Sequence, residues 1–161
     1  MVRRVSSTAE TAQRLRVLIQ QFVRSFGLLV ASETPCGLPL SVSHAHALMI
    51  LLEHRRARRI AVQMDLGRAL GIDKSNVARL CARMEEAGHV TQLRAPDDGR
   101  SRLVDLTDEG LVLARKVERA SQQRFRDILD HIQPQQRLPL CEALASLNAA
   151  VAALGGSKDD T

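Results

Sequence analysis

The side chains able to do chemistry fall into two sets. The first is three cysteines, Cys36, Cys81 and Cys141, and five histidines, which offer nucleophiles, bases and metal ligands. Their spacing organises none of that chemistry. The chain has no CxxC, GxSxG, GxGxxG, P-loop or HExxH pattern, and no local motif sets a cysteine and a histidine as nucleophile and base. His44 and His46 stand two apart at a helix start, so they do not share a face. A metal site there needs Glu33, Cys36 or His131 brought from elsewhere. Cys81 and Cys141 read as packing residues, and Cys36, in a linker, is the one thiol placed to react. The expectation is therefore no enzyme, no cofactor and no metal. A metal- or thiol-redox-responsive sensor using Cys36 and the histidines is the alternative.

The second set is arginine-rich. The chain carries a net charge of +5, and from Arg55 to Arg102 eleven basic residues face six acidic ones, an excess equal to that net charge. A basic focus of this kind suits phosphate, because each neutralised phosphate releases counterions. Single-stranded nucleic acid and RNA are poor matches. Their binders stack bases on aromatic rings, and this chain has no Trp, no Tyr and only Phe22, Phe26 and Phe125. No apolar run approaches the roughly 20 residues of a membrane span. The N-terminal residues lack the apolar core of a signal peptide. Three cysteines without pairing signals fit reduced thiols. A cytoplasmic protein without a membrane partner is expected.

Certain elements must position the arginines. Apolar residues Leu15, Leu18, Ile19, Phe22, Phe26, Leu29 and Val30 recur at helical spacing, which predicts a long helix from about Thr8 to Ala31. Pro35, Gly37 and Pro39 break the chain. A second helix starts at Ser41 or Ser43 and ends in the basic run at Arg55, Arg56, Arg58 and Arg59. After a β-like Ile60–Val62 comes a short helix to Leu70, stopped by Gly71. The next helix, Lys74–Ala87, has Asp73 as N-cap. It sets Val77, Leu80, Cys81, Met84 and Ala87 on one face and Ser75, Asn76, Arg79, Arg83 and Glu86 on the other. Val90–Leu93 and Arg102–Leu106 flank a charged turn and read as a hairpin. A helix capped by Thr107 runs to about Ile132. A last helix, Pro134–Leu154, carries Leu140, Leu144, Leu147, Val151 and Leu154 on a coiled-coil-like seam.

Helix, tight turn, helix and hairpin in this order form a winged helix-turn-helix. Its second helix fits a major groove about 12 Å wide, with Ser75, Asn76, Arg79 and Arg83 as candidate DNA contacts. Its N-terminus also suits phosphate. Arg94, Arg100 and Arg102 sit on the hairpin, where they reach toward a minor groove.

The stretch from Leu66 to Gly110 resembles the MarR family of bacterial regulators without a gap. The specific parts are Leu66-Gly67-x-x-Leu70-Gly71-Ile72, Arg79-Leu80-x-x-Arg83-Met84-Glu85-x-x-Gly88, Pro96-x-Asp98-x-Arg100 and Leu106-Thr107-x-x-Gly110. Ala78 departs from the pattern, since relatives often carry Thr or Ser there. The resemblance implies a mainly α fold: a winged helix-turn-helix DNA-binding lobe with a small β-hairpin wing, plus long N- and C-terminal helices forming a dimerisation region. It implies that Asp98 pairs with an arginine to shape the wing. It implies a homodimer on double-stranded DNA with a pseudo-palindromic operator, acting as a repressor released by a small aromatic or anionic effector. The expected organisation is residues 1–40 as dimerisation helix and linker, 41–107 as DNA-binding lobe, 108–154 as C-terminal dimerisation helices and 155–161 as a disordered tail.

Overall fold

Helix α1 (Thr8–Ser25) opens on a capping box: the Ser7 hydroxyl accepts from the Glu10 N–H, and the Glu10 carboxylate accepts from the Ser7 N–H. It stops at Ser25, short of the expected Ala31. The reason is a C-terminal reversal in which Gly27 takes φ 81°, the Gly27 N–H donates to Arg24 O and the Leu28 N–H donates to Val23 O. A computed structural model of the chain describes residues 7–29, 33–95 and 101–155. They divide into two units, 1–121 and 122–161.

In the first unit, α2 (Val42–Arg56) is capped by Ser41, whose hydroxyl accepts from the His44 N–H. Then come β1 (Ala61–Val62), α3 (Gln63–Leu70), α4 (Lys74–Glu86), β2 (Val90–Arg94), β3 (Arg102–Leu106) and the start of α5 (Asp108–Asp130). The three strands form an antiparallel sheet in the order β1-β3-β2, with Ala61 opposite Val104 and Val90 opposite Leu106. The predicted winged helix-turn-helix, mainly helical with a small sheet, is the observed fold.

One core holds the lobe together. Leu48 and Leu51 of α2, Leu66 of α3, Val77, Leu80, Cys81 and Met84 of α4, Val90 and Val104 of the sheet, and Ala114 and Val117 of α5 are all buried. Each large aliphatic side chain contributes about 1.5–3 kcal/mol by leaving water. Ala87, expected on the inner face of α4, is exposed, because the helix ends at Glu86 and Ala87 is its cap.

The turn between α3 and α4 is set by Gly71, at φ 65°, with the Ile72 N–H reaching back to Gly67 O. The same reversal ends α2, but there the left-handed residue is Arg58 (φ 54°), with the Arg59 N–H bonded to His54 O. A side chain in that region is strained.

Two helices bury nothing within the described chain. No residue of α1 is buried, and Leu15, Leu18 and Phe22 are about half exposed. In the second unit, α6 (Pro134–Gly155) also has no buried residue, and Leu144, Val151 and Leu154 stand open. The expectation that no apolar run reaches span length is corrected by α6. It has 22 residues, and an 18-residue window within it has a mean hydropathy of 1.5, long and apolar enough to cross a bilayer by length and composition. Ala, Leu and Val fill the flanks of its seam as well as the seam itself, and between Leu138 and Gly155 Glu142 is the one charged residue. Length and composition alone do not make α6 a membrane span.

Candidate nucleic-acid interface

The outer face of α4 is built from its N-cap upward. The Asp73 carboxylate accepts from the Asn76 backbone N–H at 2.8 Å and from the Asn76 side-chain amide. The Asn76 carbonyl oxygen accepts from Arg79 Nη2 at 2.8 Å. Cap, amide and guanidinium thus form a chain at i, i+3 and i+6 along one exposed helical stripe. The Asn76 backbone N–H, first among several causes, holds the Asp73 carboxyl below the usual carboxylate range. This cap also answers the Asn76 N–H, one of the donors that the expectation of phosphate at this N-terminus relied on. Asn76, Arg79, Ala82 and Arg83 line an open depression of about 430 Å³. Ser75 is exposed beside it.

The wing is locked to this helix by a contact that sequence patterning did not single out. The Glu85 carboxylate, on α4, accepts from the Gln92 backbone N–H at 2.9 Å and from Gln92 Nε2 at 2.8 Å. Gln63 Nε2 in turn donates to Gln92 Oε1 at 3.3 Å. Two hydrogen bonds to one carboxylate make a strong joint, so β2 follows α4. The available signal was Glu85 within the family motif, but nothing in the sequence pairs it with Gln92.

At the turn end of the hairpin, Arg94 lies directly opposite Arg102 in the strand register, and both are exposed. Like charges opposed across an antiparallel pair are destabilising. Asp98 and Arg100, expected to shape the wing and enter a groove, lie outside the described residues.

The basic run after α2 splits. Arg55 Nη1 donates to Leu106 O at 2.6 Å, and Arg56 makes a two-pronged pair with Glu118 at 2.6 and 2.7 Å. These two bind the lobe to itself. Arg58 and Arg59 are exposed.

The candidates for other chemistry are dispersed. Cys81 is buried, and burial pushes its thiol up, away from reactivity. Cys36 is half-buried with its sulfur 3.1 Å from the Thr34 hydroxyl, and Cys141 is exposed. His44 Nε2 sits 3.1 Å from His89 Nδ1, whereas His46 is exposed. Burial, then the neighbouring His89 and Arg83, lower the His44 pKa to about 4. Among the described residues no three His, Cys, Asp or Glu side chains gather as a metal site.

Residues 37–101 match the sequence model of the MarR family. The HTH-type transcriptional regulator YdgJ of Bacillus subtilis is 31% identical over 100 residues, covering 62% of this chain and 59% of the length of that relative. Among solved structures, a "probable transcriptional regulator" from Pseudomonas aeruginosa superposes with a TM-score of 0.68 at 24% identity, over 83% of this chain and 96% of the other. BpsR of Bordetella bronchiseptica, whose DNA binding is described as regulated by 6-hydroxynicotinic acid, gives 0.63 at 19% identity, over 92% and 97%. The last two likenesses bear on the fold. Residues 37–101 thus match the MarR family in sequence, and the described residues share the winged architecture of the solved neighbours.

Proposed function

We propose that the chain is a sequence-specific, double-stranded-DNA-binding transcription regulator that works as a homodimer and catalyses nothing. The observation that carries this reading is the composite face of α4 and the wing. Asn76, Arg79 and Arg83 lie exposed on one stripe. The Glu85–Gln92 joint holds β2 to that helix, and the wing opposes two arginines. An opposed arginine pair is a liability in isolation and an asset beside phosphates. In this reading Ser75, Asn76, Arg79 and Arg83 enter a major groove, while Arg94, Arg100 and Arg102 follow the wing to the minor groove with Asp98 shaping its tip.

The uncovered apolar stripes of α1 and α6 support a dimer, because neither is buried among the described residues. A second copy covers them in residues 1–40 and 108–154, and 41–107 forms the DNA-binding lobe. Two-fold symmetry then implies a pseudo-palindromic site. The neighbour regulated by 6-hydroxynicotinic acid supports a small aromatic or anionic effector. Such a ligand releases a repressor by preferring the lobe spacing that does not fit DNA. The cytoplasm is the compartment this role requires.

Footprinting on the DNA flanking the protein's own gene tests the reading. It predicts protection of a pseudo-palindrome with half-sites about one helical turn apart, by a species that sedimentation equilibrium at micromolar concentration shows to be a dimer. Protection without sequence preference, or a full-length monomer, contradicts it.

A further inference from the structure

Asparagine on a recognition helix reads adenine by using its amide oxygen and nitrogen together. In α4 both atoms of Asn76 are engaged within the helix. Its nitrogen donates to the Asp73 carboxylate, and its oxygen accepts from Arg79 Nη2 at 2.8 Å. The donor on one side and the acceptor on the other fix the amide's orientation, so the oxygen faces Arg79. Asp73 is itself fixed, because its other oxygen caps the helix at the Asn76 backbone N–H. Ala82, beside them in the same open depression, adds no polar competitor.

A free arginine carries a large rotamer entropy, and holding it in place means less is lost on forming each further bond. Arg79 spends one of its five N–H donors on Asn76. The remaining donors still offer the planar fork that matches the two acceptors on the major-groove edge of guanine. We propose that Asn76 is a positioning residue rather than a base reader: braced by Asp73, it aims the Arg79 guanidinium at a guanine in each half-site. The inference rests on the reading of α4 as the helix that enters the groove.

The proposal differs from two independent readers in what a pair of substitutions does. Independent readers specify different base pairs, and their effects add. A positioned reader and its positioner specify one base pair, and removing both does no more than removing the reader.

The experiment selects bound duplexes from a randomised pool with the full-length chain. It uses the wild type, Asn76→Ala, Arg79→Ala, the double variant and Asp73→Ser. Affinities are then measured on the selected site and its single-base-pair variants. The wild type is expected to prefer guanine at one position per half-site by about tenfold or more. Arg79→Ala abolishes that preference. Asn76→Ala lowers it to within about threefold at the same position and leaves other positions alone. The double variant equals Arg79→Ala. Asp73→Ser keeps a good N-cap but removes the oxygen that braces the amide, and it gives a partial loss at the same position.

Thermal melting accompanies each variant. The cap to the Asn76 backbone N–H survives in Asn76→Ala, so melting close to the wild type is expected. If Asn76→Ala relaxes a different position, or if the two effects add, Asn76 reads its own base and the proposal is overturned. An intact guanine preference in Asn76→Ala overturns it as well. A wild type with no preference anywhere overturns the regulator reading itself, and the inference with it.

Discussion

Replacing Gly110 with alanine probes how the lobe closes. Gly110, at the start of α5, packs on the backbone just after α4. A Cβ built there lies 1.8 Å from His89 O, 2.8 Å from its carbonyl carbon and 3.1 Å from its Cα, against a floor near 3.0 Å for real Cβ contacts. These are backbone atoms, so no side chain can swing aside. The α5 start must back away by about 1.2 Å. Thr107 holds that junction together. Its hydroxyl donates to Gly88 O at 2.6 Å and accepts from the Gly110 N–H at 2.9 Å, while its N–H donates to His89 O at 3.1 Å. Stretching the two bonds that cross the junction costs about 0.5–1.5 kcal/mol each. Forced overpacking adds about 1–3 kcal/mol, and the helix propensity of alanine returns up to about 1 kcal/mol. The net destabilisation expected is about 1–5 kcal/mol, a large share of a domain stability of about 5–15 kcal/mol. Urea unfolding followed by far-UV circular dichroism measures it as a lower midpoint at unchanged slope. A loss below about 0.5 kcal/mol would refute the argument that this close approach requires glycine.

Arg58→Gly relieves the left-handed strain at the end of α2 and is expected to raise stability by about 0.5–1 kcal/mol in the same assay; a lower midpoint contradicts it. Arg102→Thr removes the like-charge opposition to Arg94 and is expected to stabilise the hairpin by about 0.2–1 kcal/mol while weakening DNA binding. If stability and affinity fall together, the opposed pair is not a liability of the free protein. His44 supplies a pH dependence. Its pKa is lowered in the folded state to about 4 from 6.5, so the unfolded chain takes the proton first as pH falls. Stability is then full above about pH 6.5 and is lost progressively toward pH 4, by roughly 1–2 kcal/mol once solvent access to the half-exposed ring is allowed for. His44→Gln should flatten the melting-temperature profile between these pH values, and an unchanged profile assigns the dependence elsewhere.

The lobe was legible in the sequence because its signals are local. Gly71 stopping α3, Asp73 capping α4 and the buried stripe Val77, Leu80, Cys81 and Met84 are each readable within a few residues of chain. The end of α1 was misplaced because its apolar spacing continues past Ser25, while the reversal at Gly27 depends on a glycine that spacing alone does not weigh. Of the interface, the polar face of α4 followed from helical period. What joins it to the wing did not. Glu85 meets Gln92, Arg55 meets Leu106 and Arg56 meets Glu118 across separations that only the folded chain brings together. The face of α6 was underestimated, because counting the seam residues left out the alanines around them.

The claim on which the account turns is that α4 reads sequence. Arg79 lies on its outer stripe, and Arg59 lies exposed in the basic run outside it. Replacing either by alanine removes one positive charge, so a pure charge effect predicts the same loss in both. The measurement is the titration of footprinted operator and scrambled duplex, at several salt concentrations, with wild type, Arg79→Ala and Arg59→Ala. Arg79→Ala is expected to weaken operator binding by about 1–3 kcal/mol and to leave scrambled DNA nearly unchanged. Arg59→Ala is expected to weaken both alike and to reduce the salt slope by about one unit. Equal weakening of operator and scrambled DNA by Arg79→Ala would mean that α4 does not read the sequence.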